Sequence, residues 1–118
     1  MRSIENWYKN SANIVDIWMK IFMKLRRGDN KIEYYLTKRG EEVDFIVTDK
    51  ITGQRRLIQV AWDLSAASTV KRETAALVNA AAETGIDSKM IITWDSECSM
   101  VDGIEVLPVL RWALKEGV

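Results

Sequence analysis

Glu42, Asp44 and Gln59 are the residues of this chain whose types and spacing point to chemistry. In Glu42-Val43-Asp44-Phe45-Ile46-Val47, the apolar Val43, Phe45 and Val47 alternate with Glu42, Asp44 and Thr48. This is the period-two pattern of a strand with one apolar face. Leu57-Ile58-Gln59-Val60-Ala61-Trp62 repeats it, with Ile58 and Val60 on one face and Gln59 and Ala61 on the other. Between the two arms, Lys50-Ile51-Thr52-Gly53 fits a four-residue hairpin connection that ends on glycine, where a positive φ is often needed. The loop sets the register: Asp49 pairs with Gln54, Asp44 lies opposite Gln59, and Glu42 lies opposite Ala61, all four on one face. Directly opposite Cβ atoms stand about 4.5–5.5 Å apart. An acid and an amide are then close enough to share a metal ion or to form a hydrogen-bonded pair. Glu42 either adds a second carboxylate or stays solvated at the strand end.

Composition narrows the chemistry available. The chain has 118 residues, 47% hydrophobic and 29% charged, which suits a single domain over 1–118 with one real core. Seventeen basic and seventeen acidic residues cancel, so bulk charge gives no support for nucleic-acid binding and a local patch would have to carry it. Lys38, Arg39, Arg55 and Arg56, at or near the hairpin ends, are the candidates for phosphate contact, or are ordinary solubilising surface. The chain contains no histidine, which excludes a histidine general base and every His-ligated metal site. Its one cysteine, Cys98, excludes an internal disulfide and zinc-finger spacings, and suits a reducing, cytoplasmic compartment. No signal peptide or membrane-spanning run is expected.

The elements that position these residues follow from periodicity. Residues 1–12 are a poorly specified lead-in that includes Trp7. From Asn13, the residues Ile14, Val15, Trp18, Ile21, Phe22 and Leu25 keep helical spacing against a polar stripe of Asn13, Asp16, Lys20, Lys24 and Arg27, and Gly28 stops the helix. Ile17, Met19 and Met23 outside that stripe predict either deep burial or a partner surface. Residues 31–37 predict a first strand and 38–41 a turn, which pairs Thr37 with Glu42 and sets Tyr35 beside Asp44. After Trp62 a loop leads to a helix with Ser65 or Ser68 as N-cap, an apolar stripe of Val70, Thr74, Leu77, Val78 and Ala81, and Gly85 at its end. Residues 90–94 predict a buried strand, 95–103 a polar loop, 104–107 a last strand, and Val109 to Lys115 a terminal helix behind Pro108. Trp18, Trp62 and Trp94 are expected in the core, and Trp7 and Trp112 at a partner interface. The order αβββαββα predicts a mixed sheet, with an antiparallel β-meander, flanked by helices: an α/β sandwich.

This order, with Asp in the second strand and a short motif in the third, resembles the core of the PD-(D/E)XK nuclease-like, or restriction-endonuclease-like, fold. More narrowly, the chain is similar to the C-terminal domain of a family of bacterial and archaeal AAA+ ATPases, the DUF4143 type. Gly40-Glu41-Glu42-Val43-Asp44-Phe45 matches that family's Gly-x-Glu-Val-Asp-Phe. Ile58-Gln59-Val60-Ala61-Trp62-Asp63-Leu64-Ser65 matches Ile-Gln-Val-x-x-x-Leu-Ser, and Thr69-Val70-Lys71-Arg72-Glu73-Thr74-Ala75-Ala76-Leu77 matches Thr-x-x-Arg-Glu-x-x-Ala-Leu. The resemblance covers about residues 12–115.

A working nuclease of this fold uses Asp, then Asp or Glu, then Lys two residues later, with the carboxylates holding Mg²⁺. Here Asp44 stands at the first position, Gln59 at the acid and Ala61 at the lysine. The resemblance therefore implies a degenerate active site in a non-catalytic accessory or binding domain. Its expected partner is an AAA+ ATPase module in the same or another chain, with nucleic acid held uncleaved as a further partner. The first alternative is a Mg²⁺-dependent DNA endonuclease using Asp44, Gln59 and Glu42, with Lys71 as a lysine relocated to the following helix. The second is a homodimerisation module built on the Trp- and Met-rich first helix.

Overall fold

The structure, a computed structural model, describes residues 13–116; the lead-in and Trp7 lie outside the described residues. Its elements are α1 (Ile14–Arg27), β1 (Asn30–Leu36), β2 (Glu42–Asp49), β3 (Arg55–Val60), α2 (Ala67–Thr84), β4 (Lys89–Thr93), β5 (Ser99–Val101), β6 (Ile104–Pro108) and α3 (Val109–Lys115). Together they form a mixed α/β architecture: a six-stranded sheet of order β1-β2-β3-β4-β6-β5. β1, β2 and β3 are the antiparallel meander; β3, β4 and β6 run parallel, and β5 pairs antiparallel with β6. α1 and α3 pack on one face through Ile17, Ile21, Leu25 and Trp112 against Phe45, Ile58 and Ile92. α2 covers the other face through Ala76, Leu77 and Ala80 against Val43, Leu57 and Ile91.

Local chemistry sets the ends of the first helix. The Asn13 side chain accepts the Asp16 N–H at 3.1 Å as N-cap, and Lys24, Arg26 and Arg27 stand in the last turn, where the dipole favours cations. Gly28 ends the helix in an extended rather than left-handed conformation, because the Asn30 amide donates to the Leu25 carbonyl at 3.0 Å beside it. A Cβ at Gly28 would stand 2.9 Å from that amide nitrogen. The buried stripe is Ile17, Ile21 and Leu25, flanked by half-buried Trp18 and Phe22, whereas Val15 is exposed. The helix is therefore rotated from the expected stripe, as its apolar residues on nearly every side permit.

Between β2 and β3 the expected loop forms. Asp49 N–H donates to the Gln54 carbonyl at 2.9 Å, the Asp49 carboxylate accepts from Ile51 and Thr52, and Gly53 holds φ +78°. Phe45 pairs with Ile58 and Thr48 with Arg55, so the expected hairpin register holds. Between β1 and β2 it holds only in part. Glu33 faces Ile46 but Tyr35 faces Val43, so two steps on β1 oppose three on β2. The extra residue is a β-bulge in β2 next to Asp44. It turns Val43 onto the α2 face while Phe45 and Val47 stay on the α1 face, which corrects the single apolar face expected for this strand. It also removes Tyr35 from Asp44: the Tyr35 hydroxyl instead donates to Glu83 on α2 at 2.7 Å.

Three further expectations change. α2 is N-capped by Ala66 without a side-chain bond, because the Ser65 hydroxyl donates to Asp63 at 2.7 Å instead. The 95–103 stretch contains a short strand, β5, returned by Asp102-Gly103 with both residues at positive φ, the conformation of a two-residue hairpin. Trp112 is 1% exposed in the core between α1, α3 and the sheet rather than at a surface.

Candidate functional site

The meander opens at one end. The Phe45–Ile58 pair is the last of the β2–β3 ladder toward the strands' 42–44 and 59–60 ends. Beyond it the strands part, and a cleft of about 430 Å³ lies between them and α2. Gly40, Glu41, Glu42, Asp44, Gln59 and Glu73 are among its walls. Three of the four catalytic candidates thus meet here, brought together by the register and the bulge.

Side-chain hydrogen bonds replace the missing ladder. The Gln59 carboxamide is 3% exposed and uses both of its ends on β2 backbone: Oε1 accepts the Asp44 N–H at 2.7 Å, and Nε2 donates to the Glu42 carbonyl at 2.8 Å. The Asp44 carboxylate makes the reciprocal bond to β3, accepting the Val60 N–H at 2.8 Å on Oδ2, while Oδ1 accepts the Trp18 indole N–H at 3.3 Å. Asp44 and Gln59 therefore cross-brace the split strands. They are neighbours, as expected, but each bonds to the other's strand backbone rather than to the other's side chain.

Burial pushes the Asp44 carboxyl above the usual carboxylate range, and the nearby Glu73 and Glu42 carboxylates push the same way. The Val60 and Trp18 N–H groups oppose this by stabilising the anion. Ala61 packs against α2 in the core and supplies no charge. Lys71 is exposed on α2 and does not line the cleft; its neighbour Arg72 does, with Nε 3.2 Å from Glu73 Oε1. Among the described residues no group of three or more His, Cys, Asp or Glu side chains could hold a metal ion. Both Asp44 carboxylate oxygens and the Gln59 carbonyl oxygen already accept N–H groups.

The four basic candidates do not form one patch. Lys38 and Arg39 stand in the β1–β2 turn, while Arg55 and Arg56 open β3 at the other end of the sheet. At about 3.3 Å per residue, the eight residues of β2 put roughly 25 Å between the two pairs. Arg56 is moreover paired with Glu116. The Lys38 N–H is tied to the Glu83 carboxylate, which anchors this turn to α2.

Sequence reasoning missed Glu73 and Arg72 as walls of the cleft. A signal was present: Glu73, Ala76, Leu77 and Ala80 share i, i+3, i+4, i+7 spacing, so a carboxylate stands in the stripe that α2 turns toward the sheet. A second cleft of about 300 Å³ adjoins the first, sharing Val60, Arg72 and Glu73 and extending past Asp63 to Trp62. Trp62, expected in the core, is instead 38% exposed and stacks on Trp94, with ring centroids 5.4 Å apart and planes 9° from parallel. The Asp63 carboxyl is held below its usual range by the hydroxyl and backbone N–H of Ser65.

No family model, curated protein or solved structure matches the chain.

Proposed function

We propose that this chain is a non-catalytic, nuclease-like accessory domain that acts with an AAA+ ATPase. The element order around the meander supports a restriction-endonuclease-like fold, and Asp44 stands on its second strand as that fold's first acid does. The observation that carries the loss of catalysis is the Gln59 carboxamide, whose oxygen and nitrogen both close the gap between β2 and β3. A metal-binding acid at this place would have to leave that backbone and point into the cleft. Mg²⁺ prefers charged oxygen ligands and gives up water reluctantly, so a neutral, already bonded carbonyl is a poor second ligand. Ala61 adds no group to activate water or to meet phosphate charge. Absence of one such electrostatic contact typically lowers rate by about 10²–10³, and two positions differ here.

What remains is a fold kept for its surfaces, with the ATPase module as the partner. No helix among the described residues is long and apolar enough to cross a membrane. The test is cleavage of linear and branched DNA with Mg²⁺ or Mn²⁺, with Asp44→Ala as control. No metal-dependent cleavage is expected from either protein. Cleavage by the wild type that Asp44→Ala abolishes would overturn the reading in favour of a Mg²⁺-dependent nuclease.

A further inference from the structure

Trp62 stands just past the carboxyl end of β3, where the chain leaves the sheet for α2. The two adjoining clefts lie at the carboxyl end of β3 and form one groove. At one end is the Trp62–Trp94 stack, held by the Trp94 N–H donating to the Trp62 carbonyl at 3.0 Å. At the other are Glu42 and Asp44. Among the described residues lining the groove, five are carboxylates and one is a guanidinium, Arg72, which is paired with Glu73.

We infer that this groove holds an extended basic segment of a protein partner, one lysine or arginine lying against Trp62 and others meeting Asp63, Glu73 and Glu42. This deepens the accessory-domain reading and rests on it: it assigns the chemistry of the partner surface. Two independent features choose this occupant. An indole face attracts ammonium and guanidinium groups through its quadrupole, most strongly for tryptophan. The surrounding carboxylates favour cations and repel the phosphates of a nucleic acid. The stack also fixes the Trp62 ring before binding, so little side-chain freedom is lost on docking.

The test is fluorescence anisotropy of the full chain in EDTA. The probes are a labelled alternating lysine–glycine peptide, a glutamate–glycine peptide of equal length, and a single-stranded oligonucleotide of similar length. The lysine peptide is expected to bind, and to weaken as salt rises; the other two are not. Trp62→Ala is expected to weaken it about fivefold. Asp63→Asn combined with Glu73→Gln is expected to weaken it by about the same factor, and Arg72→Gln to tighten it about twofold. The two charge variants keep the test decisive if Trp62→Ala does not fold by circular dichroism. Equal binding of the acidic and basic peptides, preference for the oligonucleotide, or affinity unchanged in the charge variants would each overturn the inference. Because EDTA removes any metal chemistry, these outcomes are independent of the cleavage assay, which alone decides whether the domain is catalytic.

Discussion

Replacing Gln59 with glutamate is expected to damage the fold rather than create a metal site. In Gln59→Glu, one carboxylate oxygen can still accept the Asp44 N–H, now 2.7 Å from Oε1. The other oxygen takes the place of Nε2, which lies 2.8 Å from the Glu42 carbonyl, and two acceptors then face each other. The Glu42 carbonyl loses its donor at a site that is 3% exposed, a loss of about 1–3 kcal/mol. Burying an added negative charge beside the Asp44 carboxylate raises the total to about 3–5 kcal/mol at pH 7. Protonation restores the donor, so the introduced carboxyl has a raised folded-state pKa. The variant therefore recovers stability as the pH falls, with a loss of about 1–2 kcal/mol remaining near pH 4. Urea unfolding at both pH values reads this directly. For a loss of 3 kcal/mol and an m-value of about 2 kcal/mol per molar, the midpoint at pH 7 falls by about 1.5 M. A variant as stable as the wild type at pH 7, or one whose loss does not shrink on acidification, refutes the cross-brace. Added Mg²⁺ that restores the midpoint would refute it too, because the carboxyl would then be ligating metal.

The other carboxylates carry opposite pH signatures. Burial raises the folded-state pKa of Asp44, so its contribution is fully present below the unfolded pKa of about 3.9 and is lost as pH rises through the folded value. Asp44→Asn is expected to reduce the fall in stability between about pH 4 and pH 7; urea midpoints that keep the wild-type slope would rule this out. The Tyr35 hydroxyl, and after it the Lys38 N–H, hold Glu83 below its usual range, so its contribution is present above the unfolded pKa and disappears as pH falls through the folded value. Glu83→Gln is expected to lower the melting temperature at pH 7 and to converge on the wild type in acid, and a constant difference across that range counts against the Tyr35–Glu83–Lys38 anchor.

Much of the site's framework was legible because short-range chemistry governs it. The Lys50-Ile51-Thr52-Gly53 loop is bound to Asp49 at both backbone and side chain, so four residues set the register that brings Asp44 near Gln59. Gly85 at φ +78° closes α2 where the sequence places its end. The Asp102-Gly103 pair carried a hairpin signal as well, and β5 follows from it. Phase was less legible. α1 is apolar on nearly every side, so periodicity alone does not choose between Val15 and Ile17 as the buried residue; packing against Phe45 and Trp112 does. α2 buries Ala76 and Ala80 and exposes Val78, since small residues let the helix approach the sheet closely.

By itself, the sequence determined the order of elements apart from β5, the β2–β3 register, the absence of histidine, and the presence of Gln59 and Ala61 on the third strand. These depend on residue identity, local turns and alternation, all of which act over a few neighbours. Only the tertiary structure decided that β2 bulges beside Asp44, that Gln59 spends its amide on backbone, and that Glu73, Arg72 and Trp62 join the same groove. The first two join groups on different strands whose polar atoms must find partners once water is removed, and the third follows from how α2 packs on the sheet. Where several partners are in reach, the packed helices choose among them.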